Sequence, residues 1–89
     1  MSIGLRIHVR GRVQGVFFRA STKQQAEKLN LTGYAKNLSN GDVEVVLYGE
    51  SDNIDKMLAW LHHGPRLARV DKLTTQQTDF IETIGFSTQ

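Results

Sequence analysis

One joint constrains this chain more than any other: an alternating strand runs through a glycine-marked turn into a helical pattern. Ile3, Leu5, Ile7 and Val9 alternate with Gly4, Arg6, His8 and Arg10, a period of two that buries one face of a strand. Then comes Gly11-Arg12-Val13-Gln14-Gly15-Val16-Phe17-Phe18-Arg19, where two glycines bracket a segment whose backbone must turn sharply. Glycine accepts positive φ and lets main chain approach a ligand, so successive N–H groups can converge on one oxyanion as the chain enters a helix. The positive end of that helix favours the same anion, and Arg19 adds a planar fork of donors suited to phosphate oxygens. On spacing alone, the same residues suit an ordinary strand-to-helix turn with a solvated arginine equally well.

The rest of the chain supplies a small α+β fold. After the turn, Phe18, Thr22, Ala26 and Leu29 recur at spacings of four, four and three, which predicts a helix from Phe18 to Leu29 ended by a left-handed Asn30. Leu31 to Leu38 and Asp42 to Tyr48 are the second and third strands, joined at Ser39-Asn40-Gly41 by the Asn-Gly pair that two-residue hairpins prefer. Gly49 ends the third strand. Ser51 or Asp52 caps a second helix carrying Ile54, Met57, Leu58 and Leu61, and Gly64-Pro65 stops it. Ala68, Val70 and Lys72 begin a fourth strand that ends near Gln77. Thr78 to Gly85 is a loop, and Phe86 to Gln89 forms a short edge strand.

The order β-α-β-β-α-β, with that extra strand, is the split βαβ arrangement of a ferredoxin-like sandwich. Right-handed crossovers put both helices on one face of the sheet. The other face then carries Arg6, His8 and Arg10. Eighty-nine residues suit one domain, 1–89.

Composition narrows the chemistry mainly by exclusion. The absence of cysteine removes disulfides, thiolate metal sites and cysteine nucleophiles together, and suits a reducing cytosol. No HExxH pair and no carboxylates at metal-ligand spacing occur. A formal charge of +2 steers anions weakly, and Arg66-Leu67-Ala68-Arg69, the longest basic feature, is too interrupted for a nucleic-acid footprint. No run of about 18 apolar residues and no apolar signal core is present, so a cytoplasmic chain without a membrane span is expected.

Gly11-Arg12-Val13-Gln14-Gly15-Val16-Phe17-Phe18-Arg19, followed by Gly33-Tyr34-Ala35-Lys36-Asn37 and by Gly41-Asp42-Val43 to Gly49, closely resembles the acylphosphatase family. The similarity continues through Gly64-Pro65 and Ala68-Arg69-Val70. It departs only at Ser87-Thr88-Gln89, where members often close with an aromatic or basic residue, and that departure is expected to touch neither motif. The resemblance implies hydrolysis of an acyl phosphate to a carboxylate and inorganic phosphate, without a metal or other cofactor. It implies Arg19 as the phosphate-binding arginine and Asn37 as the residue that orients the attacking water. By the same resemblance Gln14, Gly15, Val16, Phe17, Phe18 and Arg19 would form the substrate-binding loop, which inorganic phosphate or sulfate would also occupy. A monomer that binds no nucleic acid is expected. The free N-terminus and chain length favour a stand-alone enzyme over a segment of a larger protein.

These residue types fit that chemistry. The leaving carboxylate, with a pKa of about 4, departs without a general acid, so positioning and electrostatics can supply most of the catalysis. Arginine stays charged and contacts two oxygens at once. Asparagine both donates and accepts without placing a negative charge beside the phosphate. The rival reading is a ferredoxin-like RNA-binding or regulatory module, and against it the chain lacks an RNP1-type pattern. His8 falls on the solvent face of the first strand, and His62 and His63 are explained by a helix C-terminus. Phe17 and Phe18 could wall the loop, with at least one of them in the core.

Overall fold

Alternation at the N-terminus produces β1 (Ser2–Arg12), and the helical spacing after the turn produces α1 (Phe18–Lys28). β2 (Thr32–Asn37), β3 (Val43–Glu50), α2 (Ser51–Leu61), β4 (Arg69–Thr78) and β5 (Phe86–Thr88) follow in a computed structural model that describes residues 1–89. The sheet has the order β4-β1-β3-β2-β5, with antiparallel pairs except for the parallel pairing of β2 with β5. This is the ferredoxin-like βαββαβ layout with a fifth strand on the edge. Both helices lie on one face, because Phe18 and Ala26 of α1 and Ile54, Met57 and Leu61 of α2 share one core with Ile7, Val9, Ala35, Val43, Val45 and Leu47.

The opposite face is polar and largely paired within itself. His8 Nε2 lies 2.5 Å from Asp42 Oδ2, Arg6 lies 3.8 Å from Glu44, and the Tyr34 hydroxyl donates to Glu44 Oε1 at 2.6 Å. Tyr48 packs edge-on against Phe80, so both tyrosines already have partners within the protein. The hydrogen bond to the Glu44 carboxylate, with burial and then the Glu44 charge as lesser causes, pushes the Tyr34 pKa up to about 12. Because the folded value exceeds the unfolded one of about 10, this contribution to stability is complete below pH 10 and is lost as pH rises toward 12. In a spectrophotometric tyrosinate titration, the step near pH 12 is therefore expected to disappear in Tyr34→Phe; its survival there would refute the assignment.

Several sequence expectations shift in detail. The hairpin between β2 and β3 has three loop residues rather than two: Gly41 N–H donates to Leu38 O at 3.1 Å, and Leu38 N–H donates to Asp42 O at 2.8 Å. Gly41 carries the positive φ, at 94°, that follows a type I turn in such loops. Asn40 shapes the same turn by accepting the Asp42 N–H on its side-chain oxygen at 3.0 Å. β3 continues through Gly49 to Glu50, and α2 begins without the side-chain cap expected of Ser51 or Asp52. Asn30 does hold a left-handed φ of 56°, just beyond an α1 that stops at Lys28.

In β4 the expected Ala68, Val70, Lys72 alternation is broken by a bulge. Gly11 pairs with Val70 and Arg10 with Lys72, leaving Asp71 unmatched, so Lys72 moves to the open face and Leu73 turns toward the core. Gly11 therefore belongs to a strand irregularity rather than to the turn. A Cβ there would come within 2.1 Å of Arg69 O.

Candidate active site

β1 and β2 are both antiparallel to β3, so they run parallel and end at the same edge of the sheet. They are not neighbours, because β3 lies between them. Val43 of β3 pairs with Val9 on one side and Asn37 on the other, so Asn37 stands two strand spacings, roughly 10 Å, across from β1. The loop after β1 must reach over β3 to approach it.

Gln14 makes that crossing. Its side-chain amide donates to Leu38 O at 2.9 Å and to Asp42 O at 2.8 Å, the carbonyls on either side of the hairpin loop. The side chain of this sequence-predicted binding residue is thus committed to the hairpin, leaving its main-chain N–H for a ligand.

Beyond Gln14, Gly15 has φ 73° and Phe17 φ 61°, while Val16 between them does not enter the positive region. Alternation of this kind turns successive N–H groups toward one concavity. The N–H groups of Gln14, Gly15, Val16 and Phe17 donate to no acceptor within the protein. Gly15 is needed for its dihedral and not for room, since an added Cβ would meet nothing within 4 Å. Phe17 holds the same kind of conformation with a side chain, at a cost of about 1–2 kcal/mol. α1 then starts with no acidic residue in its first turn and no side-chain cap, so its positive end is left uncompensated. Phe18 anchors that end: it is 1% exposed, its ring lies 6.2 Å from that of Trp60 between centroids, and its burial stabilises the fold by about 1.5–3 kcal/mol.

One pocket of about 260 Å³ is lined by Val13, Gly15, Phe17, Phe18, Arg19, Ala20 and Asn37, and of the sequence-predicted loop residues Gln14 and Val16 do not line it. The two residues singled out from separate sequence motifs thus share a cavity. Asn37 Oδ1 is enclosed and has no hydrogen-bond donor in the protein, an arrangement costing about 1–3 kcal/mol unless a partner reaches it.

The C-terminal segment also enters the site. Gln89 O accepts Arg19 Nη1–H at 2.7 Å and Asn37 N–H at 3.1 Å, and Gln89 N–H donates to Ala35 O at 2.8 Å. The segment that departs from the family in residue type thus meets Arg19 and Asn37 through main-chain atoms alone. A main-chain acceptor carries no side-chain signature, so nothing in the sequence marked Gln89. No group of three or more His, Cys, Asp or Glu side chains is placed to hold a metal ion.

Residues 5–88 match the family model described as Acylphosphatase. The chain belongs to the acylphosphatase family. An acylphosphatase from Colwellia psychrerythraea is 49% identical over 98% of both chains. Among solved structures, an acylphosphatase from Coxiella burnetii superposes with a TM-score of 0.95 at 41% identity, covering 99% of this chain and 93% of that one. An acylphosphatase from Bacillus subtilis gives 0.93 at 30% identity over 98% of both. Relatedness over nearly the full length makes this chain an enzyme of the acylphosphatase family.

Proposed function

We propose that the chain hydrolyses the carboxyl–phosphate bond of acyl phosphates by direct attack of water, with the phosphoryl group held by Arg19 and the main-chain N–H groups of residues 14–19. The observation that carries this reading is the shared pocket: Gly15 and Phe17 with their unpaired N–H groups, an uncompensated helix start, Arg19 and Asn37 all border one cavity. Asn37 orients the water, and its donor-free Oδ1 is the acceptor such a water would satisfy, after local adjustment of the amide. Water oxygen forms the new bond to phosphorus. The P–O bond to the acyl group breaks, and the carboxylate leaves with the electron pair. A phosphate oxygen takes the water's proton, so no strong protein base is required.

Arg19 keeps donors for the phosphate while one is spent on Gln89 O, because a guanidinium has five N–H groups in a fixed fork. The contact with Gln89 O also restrains its rotamers, which lowers the entropic cost of binding.

The test is hydrolysis of benzoyl phosphate in EDTA-containing H₂¹⁸O. The label is expected in inorganic phosphate and absent from benzoate; label in benzoate would mean attack at the carbonyl and would overturn the mechanism. Gln14→Ala offers a second check, since the amide ties the cradle to the hairpin bearing Asn37. A misplacement near 1 Å can cost up to about 100-fold in rate. Steady-state kinetics should show kcat falling more than KM rises, and an unchanged kcat would remove Gln14 from the positioning role.

A further inference from the structure

Phe17 satisfies neither of the usual reasons for placing an aromatic residue. Its backbone is left-handed, with φ 61° and ψ 25°, where glycine would sit free of the Cβ clash. The residue is 76% exposed, whereas large apolar residues normally leave water. Phe18 beside it shows the contrast, buried in the core against Trp60. Local conformation and packing therefore both fail to explain a phenyl ring at position 17. Its position in the site does explain it. With Val13, Phe18 and Ala20, Phe17 supplies the apolar wall of the pocket that also holds Arg19 and Asn37, and its exposure puts it at the rim.

We infer that Phe17 is a specificity-determining residue: its ring is an apolar shelf for the acyl group, and the site favours acyl phosphates with flat or bulky apolar acyl groups over acetyl or carbamoyl phosphate. This rests on the acyl phosphate reading above. The phosphoryl end is the same in every such substrate, so Arg19 and the N–H cradle cannot distinguish among them. In-line displacement sets the acyl group on the far side of phosphorus from the water, and discrimination must come from what that group touches. An aryl group can stack on a phenyl face or meet its edge, while acetyl and carbamoyl groups offer little apolar area to cover.

The experiment compares wild type, Phe17→Ala and Phe17→Leu by kcat/KM for benzoyl phosphate and for acetyl phosphate, in EDTA at fixed ionic strength. Losses shared by both substrates through the cradle cancel in the ratio of the two constants. The benzoyl-to-acetyl ratio is expected to fall about tenfold in Phe17→Ala, the low end of what one apolar contact gives in a pocket. Phe17→Leu, which keeps apolar bulk without a flat face, should fall less. A ratio in Phe17→Ala within twofold of wild type overturns the inference while leaving the hydrolase reading intact. If wild type hydrolyses neither substrate, the hydrolase reading fails and this inference with it.

Discussion

Asn37→Ala is expected to lower kcat for benzoyl phosphate by about 100-fold or more, equivalent to about 2.7 kcal/mol of transition-state stabilisation, while inorganic phosphate still inhibits at close to its wild-type concentration. The separation follows from the proposed division of labour, because the amide addresses the water and the cradle addresses the phosphate. The fold should tolerate the change: Asn37 Oδ1 makes no hydrogen bond in the protein, and the Asn37 N–H that reaches Gln89 O belongs to the main chain. Asn37→Asp is the sharper control. It keeps shape but brings a negative charge to the pocket, so phosphate inhibition should weaken as well as turnover. If Asn37→Ala turns over at the wild-type rate, the water-orienting role must be abandoned.

Arg19→Ala is expected to abolish measurable inhibition by phosphate and to reduce kcat/KM by at least about 100-fold. The guanidinium is the one cationic side chain bordering this pocket, and charge-assisted hydrogen bonds to phosphate are the strong ones. Arg19→Lys should recover only part of the loss, since an ammonium cannot present the same fork of donors. Arg19 also donates to Gln89 O, so the thermal midpoint of Arg19→Ala must be measured alongside. Unaltered phosphate inhibition in a folded Arg19→Ala protein would move the phosphate site elsewhere. Together the two substitutions dissociate binding from turnover, which loss of folding could not do.

Much of the site could be read from the sequence because its parts are local. Gly15, Phe18 and Arg19 lie within five consecutive positions, where dihedral preference, helix start and charge act through neighbouring residues. The alternation of Ile3 to Val9 and the spacing of Ile54, Met57 and Leu61 likewise carry their own period, and both reappear as β1 and α2. Where periodicity failed, a backbone irregularity was responsible. The bulge at Asp71 shifts Lys72 to the open face, and no side-chain pattern announces an extra residue in a strand. The hairpin loop gained a residue for a comparable reason, since Asn-Gly suits both loop lengths and the Leu38–Asp42 hydrogen bonding decides between them.

The sequence by itself determined the chemical inventory: a cysteine-free chain, a glycine turn feeding a helix, an arginine just inside that helix and an asparagine at the end of a strand. It also determined the order of elements, since each follows from local propensity and period. Only the tertiary structure decided how those parts meet. Strand order put β3 between β1 and β2, Gln14 bridged the resulting gap to the hairpin, and Gln89 joined Arg19 to the strand bearing Asn37. Each of these rests on contacts between residues distant in sequence, through main-chain acceptors that every residue possesses. Such acceptors leave no mark on residue identity, and they come within reach only once the sheet has assembled.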